Sequence, residues 1–206
     1  MSSTPVPVVL AGRHVRLEPL ALRHVPKLFR AGGGDREVWR WLSTAAPGTE
    51  AEMRAFVGGR VRDVAEGRRV AFAVVEAVSG GAIGMTGLHS WGSPDGRIEL
   101  GGTWFGRSWW RTAANTETKL LVLGHAFDAL GFGTVVWRID VGNVRSQQAI
   151  GRIGARLEGC TPGGLLRADG TRRDVLVYTM DRADWPAART RLVERLSAGR
   201  RGPAGG

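Results

Sequence analysis

Residues 98–116 run from a strand-like segment through a tryptophan-rich turn, with Trp109 and Trp110, into a helix that opens near Asn115. The first four N–H groups of a helix lack an internal acceptor and sit at the positive end of its dipole, so such a turn suits a pyrophosphate. Small side chains at Ala113 and Ala114 let the phosphate approach. The same turn serves equally well as a water site, with Asn115 as a simple helix cap. One strand downstream, Asn143 and Ser146 stand at the start of another helix, where each either caps it or faces a ligand. His14, His24, His89 and His125 are isolated and lack metal-ligand spacing, so no metal site is expected. The single cysteine, Cys160, excludes an internal disulfide framework and reads as a small buried hydrophobe.

The elements that position these groups follow from period and punctuation. Residues 14–19 alternate polar and apolar up to Pro19, an opening strand. Residues 23–30 and 35–42 read as two short helices hinged at Gly32, Gly33 and Gly34. Thr49 and Glu52 form a capping box for a helix carrying Met53, Val57, Val61 and Val64. Three antiparallel strands are predicted over 70–78, 82–91 and 97–105. A helix over 115–130 shows Leu120, Leu123, Phe127 and Leu130 on one face, and Glu117 near its start favours the dipole. A strand over 134–141, a helix over 145–153, a hairpin turning at Asp169-Gly170 and a helical tail from Asp184 complete the pattern. The result is an α+β (mixed α/β) chain, an antiparallel meander with one strand–helix–strand crossover. Residues 1–198 read as one domain and 199–206 as a disordered tail.

A formal net charge of +10 favours an anionic partner, either nucleic acid or a phosphate-bearing cofactor. The arginines are scattered and only Lys27 and Lys119 are lysines, so no basic stripe is built and nucleic acid is the less favoured partner. No apolar run approaches the length of a membrane span and no export signal opens the chain, which points to the cytoplasm.

Taken together, His14-Val-Arg-Leu-Glu-Pro-Leu20, Glu99-Leu-Gly101, Asn115-Thr-Glu-Thr-Lys119, Asn143-x-x-Ser146, Ile153-Gly-Ala155 and Glu158-Gly159 resemble the GCN5-related N-acetyltransferase (GNAT) superfamily. The resemblance covers residues 12–196 and is to the branch that acetylates N-terminal amines of ribosomal proteins. It implies a central, mostly antiparallel twisted sheet, splayed at its middle strands and flanked by helices, with acetyl-CoA as cosubstrate and no metal. Backbone groups of Thr103, Trp104 and Phe105 would then meet the pantetheine amides. The turn Trp110-Arg111-Thr112-Ala113-Ala114-Asn115-Thr116 would hold the pyrophosphate, although both glycines of the family's turn are absent here. Asn143 would hold the pantetheine arm, Glu99 would act as base, and Ser146 would protonate the leaving thiolate. Tyr178 is a second candidate acid, or core. Trp39, Trp41 and Trp91 either pack or line the acceptor cleft. The function implied is transfer of an acetyl group to a primary amine, of a protein N-terminus or a small molecule. A succinyl or other donor, a non-catalytic acyl-CoA- or RNA-binding relative, and a homodimer remain open alternatives.

Overall fold

Continuous apolar runs, rather than alternating ones, mark strands covered on both faces. The computed structural model, which describes residues 4–92, 94–167 and 169–198, has such strands at its centre. In chain order the elements are β1 (Leu10–Ala11), β2 (Val15–Pro19), α1 (Val25–Gly32), α2 (Arg36–Trp39), α3 (Glu50–Ala65), β3 (Arg69–Glu76), β4 (Ala82–His89) and β5 (Arg97–Phe105). Then come α4 (Ala113–Gly124), β6 (Thr134–Asp140), α5 (Val144–Gly151), β7 (Arg156–Leu166), β8 (Arg172–Asp181) and α6 (Trp185–Ala198). The eight strands form one sheet in the order β1-β2-β3-β4-β5-β6-β8-β7, antiparallel except between β5 and β6.

Alternation within β3 divides the interior. Val70, Phe72 and Val74 pack with α4 and α6 through Val122, Leu123, Phe127, Trp185 and Leu192. Ala71, Ala73 and Val75 pack with α1–α3 through Val25, Leu28, Trp39, Met53 and Val57. The strand order places β7 at an outer edge, which the sequence does not reveal. Cys160 lies there exposed, correcting its reading as a buried group. β1 is an added strand, and α2 is shorter than residues 35–42. The Trp39 indole N–H donates to Gly32 O at 2.7 Å and folds that segment back on α1. The expected helix over 115–130 starts earlier, at Ala113, and its last turn widens into a π-helical turn, His125–Ala129. The tail over 199–206 lies outside the described residues.

The feature that shapes the site is a bulge in β5. Met85 pairs with Trp104, but Gly87 pairs with Gly101, so two β5 residues oppose Thr86. Gly102 takes φ +64°, a conformation that side chains other than glycine's enter at a cost. The extra residue reverses the phase of the strand: Ile98 and Leu100 face α4, whereas Trp104 faces α1–α3.

Candidate active site

β5 and β6 run parallel for only three residue pairs, Arg97 with Thr134, Ile98 with Val135 and Glu99 with Val136. Beyond Glu99 the bulge bends β5 away, and a cleft of about 140 Å³ opens between the strands. Leu100–Phe105 form one wall, and Trp137–Asp140 with Asn143, Ser146 and Ile150 form the other. Trp110, Lys119 and Arg145 also border it.

The turn below the cleft differs in detail from expectation. Thr112, not Asn115, is the N-cap of α4: its Oγ1 accepts from Ala114 N at 3.3 Å and donates to Trp109 O at 2.8 Å. The positive φ that family turns obtain from glycine falls instead on Arg111, at +64°. Ala113, Ala114, Asn115 and Thr116 form the first helical turn, so Ala113 and Asn115 N–H groups have no intrahelical acceptor. Trp110 donates from its indole to Phe105 O at 2.8 Å, which ties the turn to β5 and occupies that carbonyl. The Arg145 guanidinium lies 3.7 Å from the centre of the Trp110 ring.

Asn143 is both cap and cleft residue. Its Oδ1 accepts from Ser146 N at 3.1 Å, which directs the carboxamide along the start of α5. Its Nδ2 has no protein partner among the described residues. The turn before it is pinned by buried Asp140, which accepts from Gly142 N at 2.8 Å and from Arg167 Nη2 at 2.6 Å. Arg167 in turn covers the ring of Trp41, which lines the cleft. Thr103 also lines it, with its hydroxyl 2.8 Å from that of Thr86. Trp39 does not reach the cleft. It is buried against Phe56 and Trp104, ring centres 5.0 Å away in each case. Trp91 and Tyr178 pack on the α4 face of the sheet and border neither side of the cleft.

Three groups that sequence reasoning passed over lie at the cleft or close beside it. Lys119 lines it, whereas His89 and Arg69, like Glu99, sit behind Gly101 and Gly102 rather than in its walls. Lys119 is buried in α4, and the one partner of its ammonium among the described residues is Asn115 Oδ1 at 3.2 Å. Burial, with Arg152 nearby, pushes its pKa down to about 8. Its rarity in this arginine-rich chain was the available signal. His89, read as an isolated histidine, pairs across strands with Glu99, Nε2 to Oε1 at 3.7 Å. That gap is too long for a hydrogen bond, and one water or an amine nitrogen can bridge it. Burial raises the pKa of Glu99, while Arg138 and Arg69 pull it down. Burial and then Arg69 and Arg60 lower His89 to about 4, so it is neutral at pH 7. Arg69 is the third group; it reaches over β4 from β3.

The donor set fits a long cosubstrate with amides and phosphates. Besides Lys119, the indole N–H groups of Trp104 and Trp137 are buried without an acceptor among the described residues, and both rings line the cleft. Unpaired buried donors cost free energy unless a ligand supplies acceptors. Glu117, by contrast, serves the fold rather than the helix dipole: its carboxylate accepts from Arg13, His14 and Val15 N at 2.9, 2.6 and 2.7 Å. No cluster of potential metal ligands occurs among the described residues, and no helix among them is long and apolar enough to cross a membrane.

Comparison with known proteins agrees with this geometry. A GCN5-related N-acetyltransferase from Brucella melitensis is 28% identical, with a TM-score of 0.89 over 100% of this chain and 92% of that one. A provisionally assigned acetyltransferase from T. thermophilus is 36% identical, with a TM-score of 0.83 over 95% of this chain and 100% of that one. Mycobacterium smegmatis RimJ in complex with CoA-disulfide shares the fold at 19% identity, with a TM-score of 0.79 over 92% and 95% of the two chains. A search of curated proteins finds no match. The model of the acetyltransferase (GNAT) domain matches residues 14–156, and with the splayed strands and capped turns described above, the chain belongs to the GNAT family of acyl-CoA-dependent N-acetyltransferases.

Proposed function

We propose that this chain transfers an acetyl group from acetyl-CoA to a primary amine by direct attack in a ternary complex. The observation that carries the reading is the cleft itself, where strands part at Glu99 and buried donors without acceptors line the gap. The thioester supplies the acyl carbon, and the protein supplies position and protons. First-turn N–H groups at Ala113 and Asn115 hold phosphate oxygens, and Arg145 adds positive charge beside them. Lys119 and the Asn143 carboxamide donate to carbonyls of the pantetheine arm, and the edge of Thr103–Phe105, apart from the Phe105 carbonyl that Trp110 occupies, adds to it as a neighbouring strand would.

The acceptor arrives largely as an ammonium, since an α-amine has a pKa of about 8. Glu99, poorly solvated and raised in pKa, takes one proton, directly or through a water shared with His89. An N–C bond then forms as the C–S bond breaks, and the second amine proton passes to the departing sulfur. Ser146 relays it; its half-buried position in the cleft wall supports that role.

The test is calorimetric titration with acetyl-CoA, succinyl-CoA and adenosine 3′,5′-bisphosphate, repeated on Asn143→Ala. Acetyl-CoA should bind with a Kd on the order of micromolar, and the substitution should weaken it by about tenfold. Binding of succinyl-CoA alone would move the donor. Absence of binding by all three would remove the transferase reading.

A further inference from the structure

We infer that the acceptor carries a carboxylate a few bonds from its amine, and that Arg69 holds that carboxylate. The inference rests on the transfer reading above and narrows it to a substrate class. Behind the cleft, on the α3 side of the sheet, lies a second cavity of about 50 Å³. Arg60 and Arg69 form one wall, Leu42 and Phe56 another, and Gly101 and Gly102 the floor. The two glycines also line the cleft, so the cavities meet where the thioester is expected.

The floor is bare because neither residue has a side chain, and the groups poised over it define what can sit there. A carbon placed on Gly101 would lie 2.8 Å from His89 Nε2 and 3.6 Å from Glu99 Oε1. One placed on Gly102 would lie 4.0 Å from Arg69 Nη1. Consecutive Cα atoms are about 3.8 Å apart, so the Glu99 carboxylate and the Arg69 guanidinium overhang neighbouring points of one surface. An amine delivered to Glu99 is then a few ångströms from a carboxylate at Arg69, the spacing found within an α- or β-amino acid.

Charge favours the same ligand. Among the described residues, no carboxylate lines this second cavity. Asp63 is shared among Arg60 at 3.3 Å, Arg68 at 2.6 Å and Arg69 at 3.3 Å; Glu66 also pairs with Arg68, and Glu99 adds a longer-range attraction on Arg69, so the two cavity arginines share Asp63 as their one ion-pair partner among the described residues. The Asp63 contact is poorly aligned, leaving the buried Arg69 Nε–H without an acceptor. Burial and then Arg60 lower the pKa of Arg69 by more than Asp63 and Glu99 raise it, so the cation is only partly compensated. A carboxylate supplies that compensation in the bidentate form guanidinium prefers. A phosphate would bring a second charge toward Glu99 and needs more room.

The experiment measures CoA thiol release from acetyl-CoA with glycine, β-alanine, aspartate and a peptide beginning with aspartate. Glycinamide and ethylamine are the neutral counterparts, and the wild type is compared with Arg69→Gln and Arg69→Lys. Carboxylate-bearing amines should exceed their neutral counterparts in kcat/KM by about tenfold or more. Arg69→Gln should erase that preference through KM, and Arg69→Lys should restore part of it. The ratio of free amino acid to peptide assigns the source of the carboxylate. Equal use of charged and neutral amines by the wild type, or an equal loss on both in Arg69→Gln, overturns the proposal while leaving the transferase reading intact. No thiol release with any of these amines, together with no acyl-CoA binding, removes both.

Discussion

Lys119→Met should make the ligand-free protein more stable and the acyl-CoA complex weaker. The ammonium is buried in α4 with Asn115 Oδ1 as its one acceptor among the described residues, and its pKa falls from 10.5 to about 8. At about 1.36 kcal/mol per unit, keeping it charged at pH 7 costs the native state about 3 kcal/mol relative to the unfolded chain. Met fills nearly the same volume with high helix propensity, at the loss of one hydrogen bond worth about 1 kcal/mol. A net gain of about 1–3 kcal/mol is expected from urea denaturation without ligand. The pH dependence provides a second check. The native pKa lies below the unfolded one, so the unfolded chain holds more protons between about 8 and 10.5. Wild-type stability therefore gains a rising contribution over that window, and the variant lacks it. Acetyl-CoA affinity should fall about tenfold, because in the proposed complex the ammonium's unused N–H groups donate to pantetheine carbonyls. A variant less stable than wild type without ligand, with affinity unchanged, would show that the fold itself satisfies Lys119.

The proton path and the scaffold give two further expectations. For wild type, kcat/KM should rise with pH through the pKa of Glu99, which burial holds above its ordinary value of 4.5. Glu99→Gln should remove that limb and lower kcat by about tenfold to a hundredfold, less than for a poorer nucleophile, because the α-amine needs only modest help; superimposable pH profiles would exclude Glu99 from the path. Glu117→Gln keeps one acceptor oxygen, which serves His14 and Val15 when it takes the Oε2 position, but sets an N–H₂ against the Arg13 N–H and removes the charge from the other two bonds. Urea denaturation should therefore show a loss of about 2–3 kcal/mol, and an unchanged midpoint would mean that these contacts do not anchor the N-terminal strand.

The strands and helices were legible because their signals are local. The Thr49 cap, the apolar run of β3 and the stripe Leu120, Leu123, Phe127 each lie within one element. The site is legible only where it too is local: Asn143 caps α5 from three residues away. The pairing of His89 with Glu99 depends on register, and a slip of one residue would send the two side chains to opposite faces. That register is interrupted next to Gly87 by a bulge whose only mark in the sequence is the doublet Gly101-Gly102, and glycine doublets also occur at Gly58-Gly59, Gly80-Gly81 and Gly163-Gly164. The same bulge accounts for the misplacement of Trp39. With unbroken alternation Trp104 would share a face with Leu100 and leave α2 a tryptophan to present to the cleft; with the phase reversed, Trp104 packs on Trp39 from the α1–α3 side while still lining the cleft, and of Trp39, Trp41 and Trp91 only Trp41 stands at the cleft wall. Gly102 thus parts β5 from β6, sets Arg69 and Glu99 over a common floor, and assigns the tryptophans to core or cleft, and none of these consequences can be read from its neighbours in the chain.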